Sequence, residues 1–192
     1  LIALHTAHRA NTKRRAETVV ADGKYGTIDN YLACHDRGIA AHLPDLKQAA
    51  VERVQNRGIF PDTRFSYDPA ADTYRCPAGE ALKRKSLHTN RDSLDYAAPK
   101  KACAACTLRA QCTRNKMGRT IKRHLRQAAL DAMRAEARSA QAKRDLATRT
   151  HLMERSFARA TRFGFDRARW RGRKRVAIQE YLTASLQNIG VL

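Results

Sequence analysis

The chain's 192 residues carry 38 Lys+Arg against 18 Asp+Glu, a net charge of +20, which excludes an acidic domain or an inert scaffold and points to a polyanionic partner. No apolar run approaches the roughly 18–20 residues of a membrane span, and the apolar start at 1–4 is too short for a secretory signal, so a cytoplasmic setting is expected. At roughly 150 residues per domain, the length suits one domain with a small inserted module.

The run AETVVA at 16–21 is short, β-branched and apolar, and reads as a strand buried on both faces that ends at Asp22-Gly23. In TIDNYLACHD, at 27–36, Ile28, Tyr31 and Leu32 fall at helical spacing, with Thr27 as N-cap and Gly38 as the stop. A second short strand is expected at 39–43, closed by Pro44, which completes a βαβ unit. From about 51 to 118 the texture changes to short β-like pieces, turns and cysteines. Residues 64–67 and 73–76 flank the turn-rich DPAAD at 68–72 and predict a hairpin. Helical periodicity returns from 120 to about 164, and a last amphipathic helix is expected at 176–189.

The charge is lopsided. Residues 1–72 hold 10 Lys+Arg and 9 Asp+Glu, whereas 73–192 hold 28 and 9. Ten basic residues and two acidic ones crowd 149–175, interleaved with Phe157, Phe163, Phe165 and Trp170. Such density neutralises several phosphates and carries little sequence information. Trp170 reads either as a packing residue, which is favoured, or as a stacking platform for a base.

Cys76, Cys103, Cys106 and Cys112 lie within 37 residues, with two residues between the middle pair, while Cys34 stands apart on the apolar side of a predicted helix. A pair at that spacing can aim both sulfurs at one tetrahedral ion, so a structural Zn²⁺ on these four is expected, with His88 or His124 as substitute ligands. Cys34 reads as a buried small hydrophobe.

Two acids stand out among the 18. Asp22 sits at the end of a predicted strand. Glu154 lies beside a helical face of Met153, Phe157 and Ala160, which reads as core, and near a basic stripe of Arg155, Arg159 and Arg162. Spacing alone favours a salt-bridged helix residue over a metal ligand for Glu154.

The motifs around these acids carry a family resemblance. Asp22-Gly23-Lys24-Tyr25-Gly26 with Asn30-Tyr31 resembles the segment around the second catalytic aspartate of the DDE transposases of bacterial insertion sequences. Met153-Glu154-Arg155-Ser156-Phe157, followed by Arg169-Trp170-Arg171-Gly172 and Gln187-Asn188-Ile189, resembles the segment around their catalytic glutamate. The cysteine region fits the same pattern, so the resemblance runs from about 12 to 189. It implies an α/β, RNase H-like (retroviral-integrase-like) mixed sheet with flanking helices, interrupted by a small zinc-binding, β-rich insertion. Residues 1–50 would be a partial core, 51–118 the insertion and 119–192 the helical remainder of the core.

The resemblance further implies that Asp22 and Glu154 are catalytic and ligate two Mg²⁺ ions together with a first aspartate. None matches that aspartate before Asp22, since Glu17 is the only acid in 1–21, so the chain looks like the C-terminal part of a transposase. Thr161 stands where relatives carry a lysine. The implied activity is metal-dependent phosphodiester hydrolysis and strand transfer at transposon ends. Double-stranded DNA is the partner, met by Arg155, Arg159, Arg162, Arg169, Arg171 and Arg173, with a homodimer on paired ends and a setting at the bacterial nucleoid. The competing reading is a catalytically inactive, zinc-stapled DNA-binding remnant.

Overall fold

The computed structural model describes residues 1–189. The chain divides into two compact units, the second beginning at Ser139.

The first unit opens with helix α1 (Ile2–Thr12), which sequence patterning did not single out and which buries none of its residues. Strand β1 (Thr18–Val20) and strand β2 (Ala40–His42) then pair in parallel around helix α2 (Ile28–His35), the expected βαβ unit. Thr27 caps α2 by accepting from the Asn30 amide at 3.3 Å, and Gly38 turns the chain at φ +59°. Tyr31, Leu32 and Cys34 bury one face of α2, and the Tyr31 hydroxyl donates to the Leu43 carbonyl at 2.9 Å. Strand β1 departs from its expectation: Thr18 is exposed and Val19 and Val20 are half-buried, because among the described residues the parallel sheet has two strands and β1 pairs along one edge.

Helix α3 (Leu46–Gln55) follows β2. Helix α6 (Gln127–Ala137) completes this core by burying Leu130, Met133 and Ala137 with Tyr31, Ile39 and Leu43. Asp45 anchors it. Its carboxylate, 5% exposed, accepts from the Lys47 amide at 3.0 Å and from Arg138 at 2.8 Å, with Arg134 at 3.6 Å.

A second core lies on a five-stranded antiparallel sheet of β3 (Ser66–Asp68), β4 (Thr73–Arg75), β5 (Ala81–His88), β6 (Ser93–Ala97) and β7 (Thr120–His124), in that spatial order. The expected hairpin is β3–β4, with Tyr67 opposite Tyr74. Successive register pairs bring Tyr74, Leu82, Tyr96 and Ile121 into one apolar cluster with Phe65. The Tyr67 and Tyr96 hydroxyls donate to one oxygen of Asp72, at 2.8 and 2.6 Å, so the turn carboxylate is tied into the sheet. Short helices α4 (Lys100–Ala104) and α5 (Arg109–Cys112) fill the β6–β7 connection.

The second unit is a pair of helices, α7 (Ala140–Arg162) and α8 (Arg173–Ile189). Ser139 caps α7 by accepting from the Ala142 amide at 3.1 Å. At the other end Gly164 N donates to Thr161 O at 2.9 Å and Phe165 N to Ala160 O at 3.2 Å, the paired bonds of a Schellman motif with Gly164 at φ +76°. Gln187 of α8 donates to the Ser156 carbonyl at 2.7 Å. The expected core face of α7 is only partly such: Ala160 is buried, but Met153 is 37% and Phe157 57% exposed, since two helices alone cannot enclose a full apolar stripe. Among the described residues no helix is long and apolar enough to cross a membrane.

Candidate metal and nucleic-acid sites

Asp22 lies two residues beyond the end of β1, at the C-terminal end of the parallel pair, the edge at which α/β sheets present ligands. Its backbone is extended (φ −77°, ψ 177°), and its Oδ1 accepts from the Lys24 amide at 3.0 Å, capping one turn of 3₁₀ helix at Gly23–Tyr25. The loop is fixed by close approach: a Cβ at Gly26 would stand 2.4 Å from the Pro44 carbonyl oxygen, so only glycine fits. Asn30 reaches back to the Tyr25 carbonyl at 2.9 Å. The buried His42 ends the neighbouring strand in register with Val20; nothing in the sequence set it apart, because it sits inside an apolar run.

Glu154 lies on α7 in the second unit and is exposed, as are Arg155, Arg159, Arg162, Arg169, Arg171 and Arg173. Arg155, Arg159 and Arg162 share one helix, and Arg169 and Arg171 come from the α7–α8 connection. That connection is shaped by a residue that sequence reasoning missed. Gln179, 7% exposed, donates to the Gly164 and Arg167 carbonyls at 2.7 and 2.9 Å and accepts from the Arg169 amide at 2.9 Å. Its helical spacing marked it only as one polar position among many. Trp170, expected to pack, is 44% exposed.

Cys76, Cys103, Cys106 and Cys112 line a common cavity of about 30 Å³ at one end of the five-stranded sheet, beside Phe60 and Leu82. The loops carrying them are tied by two guanidinium groups. Arg109 donates to the Cys103 carbonyl at 2.9 Å and the Asn115 carbonyl at 3.2 Å, and Arg119 donates to the Cys112 and Phe60 carbonyls at 3.2 and 3.1 Å. Gly118, at φ +96°, lies so close that an added Cβ would stand 2.9 Å from the Cys103 sulfur. Burial pushes the Cys112 thiol above its ordinary pKa, with Arg119 opposing.

Among the described residues, no group of three or more His, Cys, Asp or Glu side chains stands close enough to hold a metal ion. The expected zinc set is therefore not closed in this arrangement: Cys76, Cys103 and Cys112 pack as small apolar groups against the sheet core. Asp22 belongs to the first unit and Glu154 to the second. The substitute ligands are engaged elsewhere. His88 pairs with Asp95 at 3.0 Å, His124 accepts from the Arg126 amide at 3.0 Å, and neither lines the cysteine cavity. Cys34 is fully buried, as expected.

Residues 75–192 match the transposase DDE domain family. The chain belongs to that family. The match takes in Glu154, all four cavity cysteines and the arginine-rich α7–α8 connection, while Asp22 lies ahead of it. No curated protein and no solved structure matches the chain. Membership of the transposase DDE family implies an enzyme of the nuclease or transposase kind with DNA as its partner, and the family typically uses divalent metal ions. The mixed α/β architecture, with its antiparallel sheet, is compatible with that assignment.

Proposed function

We propose that the chain carries part of the machinery that cuts and joins DNA strands at the ends of a bacterial insertion sequence, on an RNase H-like core. The observation that carries the reading is the family match across Glu154 and its arginine-rich surroundings. Asp22, held at the strand end by the Lys24 amide, and the exposed Glu154 supply hard oxygen donors suited to Mg²⁺. A bound pair of such ions would activate the attacking oxygen and stabilise the leaving one. The arginines of α7 and of the α7–α8 connection position the phosphodiester backbone, and a homodimer on paired ends, at the nucleoid, is the assembly this reading implies. In an assay of Mg²⁺- or Mn²⁺-dependent nicking of transposon-end DNA, Asp22→Asn and Glu154→Gln should each abolish cleavage while leaving duplex binding intact. Cleavage that survives both changes would refute these roles for Asp22 and Glu154, whereas duplex binding with no cleavage by the unaltered chain would favour the other reading, a non-catalytic DNA-binding remnant.

The same reading gives the insertion a structural Zn²⁺ on Cys76, Cys103, Cys106 and Cys112. In support, all four thiols line one small cavity on loops already tied together by Arg109 and Arg119. Zinc binding requires these loops to draw in until the sulfurs lie about 2.3 Å from the ion. Metal analysis of reduced protein should return about one zinc per chain, and a chelator should lower the melting temperature; zinc-free protein with an unchanged melt would refute the site.

A further inference from the structure

The α7–α8 connection is built as a rigid loop beside an open cleft. The Schellman bonds at Gly164 end α7, and the Gln179 side chain then holds three backbone groups between Gly164 and Arg169. The Arg169 guanidinium lies against Gly164, where a Cβ would stand 3.0 Å from it. Between this loop and α8 opens a cleft of about 330 Å³, lined by Arg162, Phe163, Arg169, Trp170 and Leu182. The buried side chains of Gln179 and Thr183 also line it. Trp170 borders a second hollow of about 210 Å³, with Arg175 and Ile178. None of Arg162, Arg169 and Arg175 has a carboxylate within ion-pair distance among the described residues.

We propose that this cleft takes one unstacked nucleotide of a single-stranded DNA end, its base against Trp170 and its phosphate on Arg162 and Arg169. The inference rests on the reading of the chain as a DNA-acting protein and adds where, and in what form, the strand is held. An indole stacks any base through its π-face, and guanidinium forks match phosphate oxygens. A cavity with Trp170 on one wall and the Arg162 and Arg169 guanidinium groups on its lining combines both requirements, and Gln179 fixes the backbone that presents Arg169. A duplex, whose bases are stacked inside, can offer the cleft only phosphates.

Trp170 is the chain's one tryptophan, so tryptophan fluorescence reports the surroundings of this side chain. The full chain is titrated with a short oligothymidylate, an abasic strand of equal length and a blunt duplex, with anisotropy recording binding in parallel. The oligothymidylate should quench Trp170 saturably, and the abasic strand and the duplex should bind with little quenching. Trp170→Ala should weaken oligothymidylate binding about tenfold, whereas Trp170→Phe, which retains a ring, should weaken it far less. Arg169→Gln should weaken it while keeping the reporter. Circular dichroism of each variant confirms the fold. Equal quenching by strand and duplex, or an abasic strand that quenches as well as the oligothymidylate, would overturn the proposal. Duplex binding without strand quenching overturns it and leaves the DNA reading standing, whereas binding of neither probe overturns both.

Discussion

Tyr31 shows how much of the first core hangs on one side chain. It is 1% exposed, packed with Leu32, Cys34 and Leu43, and its hydroxyl satisfies the Leu43 carbonyl just beyond β2. Tyr31→Phe keeps the ring but leaves that carbonyl without its donor, which should cost about 1 kcal/mol in urea unfolding. Burial, then the nearby Asp45 carboxylate, pushes its phenol up to about 12, so the folded state holds the proton more tightly than the unfolded chain. The stability that follows is complete below an unfolded value of about 10 and is lost as pH rises from there towards 12. Wild-type stability should fall across that window more steeply than that of Tyr31→Phe, and parallel curves would show that another group governs the alkaline limb. At this scale the sequence was informative where a residue stood at an element's end. Asp22 follows its strand and Thr27 caps its helix, as the local chemistry demands. Gln179 and His42 were not legible, because a polar residue within a periodic run gives no sign of the loop or strand edge it will face.

Among the elements, the expectations that held were those with punctuation. Thr27 and Gly38 bracket α2, and the polar turn at 68–72 closes the β3–β4 hairpin. Periodicity located α7 and α8 but mistook the partner of their apolar faces, since Met153 and Phe157 are exposed. A period of 3.6 names the face of a helix and says nothing of what covers it. The cysteine loops show a different limit. Spacing singled out four thiols that line one cavity, but how near their sulfurs stand to one another is set by the packing of the loops against the sheet. Gly118 is the tightest part of that packing. Gly118→Ala places a Cβ 2.9 Å from the Cys103 sulfur at φ +96° and should destabilise the sheet module by about 1–3 kcal/mol. Gly79→Ala, at φ +87° with open space around it, carries the backbone strain without the contact. Thermal denaturation of the two variants should therefore differ, and equal losses would mean that the loop around Cys103 yields freely.

At the scale of the whole molecule the charge distribution decides what the chain can bind and how. With 28 Lys+Arg against 9 Asp+Glu after residue 72, the long-range field draws a phosphate backbone to the second half of the chain. Exposed arginines there are free to exchange counterions for phosphates, so affinity for duplex DNA should fall linearly on a log–log plot against salt. Replacing Arg155, Arg159 and Arg171 by Ala should lower the slope by up to about 0.9 for each phosphate contact removed, and weaken unrelated duplex sequences alike. The melting temperature should stay nearly constant, because these side chains are exposed and contribute little to folding. An unchanged slope would move the phosphate contacts off α7 and its connection and onto the basic strands of the sheet module, where Lys83, Lys85 and Lys122 are also exposed. The two outcomes separate an interface carried by the segment around Glu154 from one carried by the cysteine-rich module.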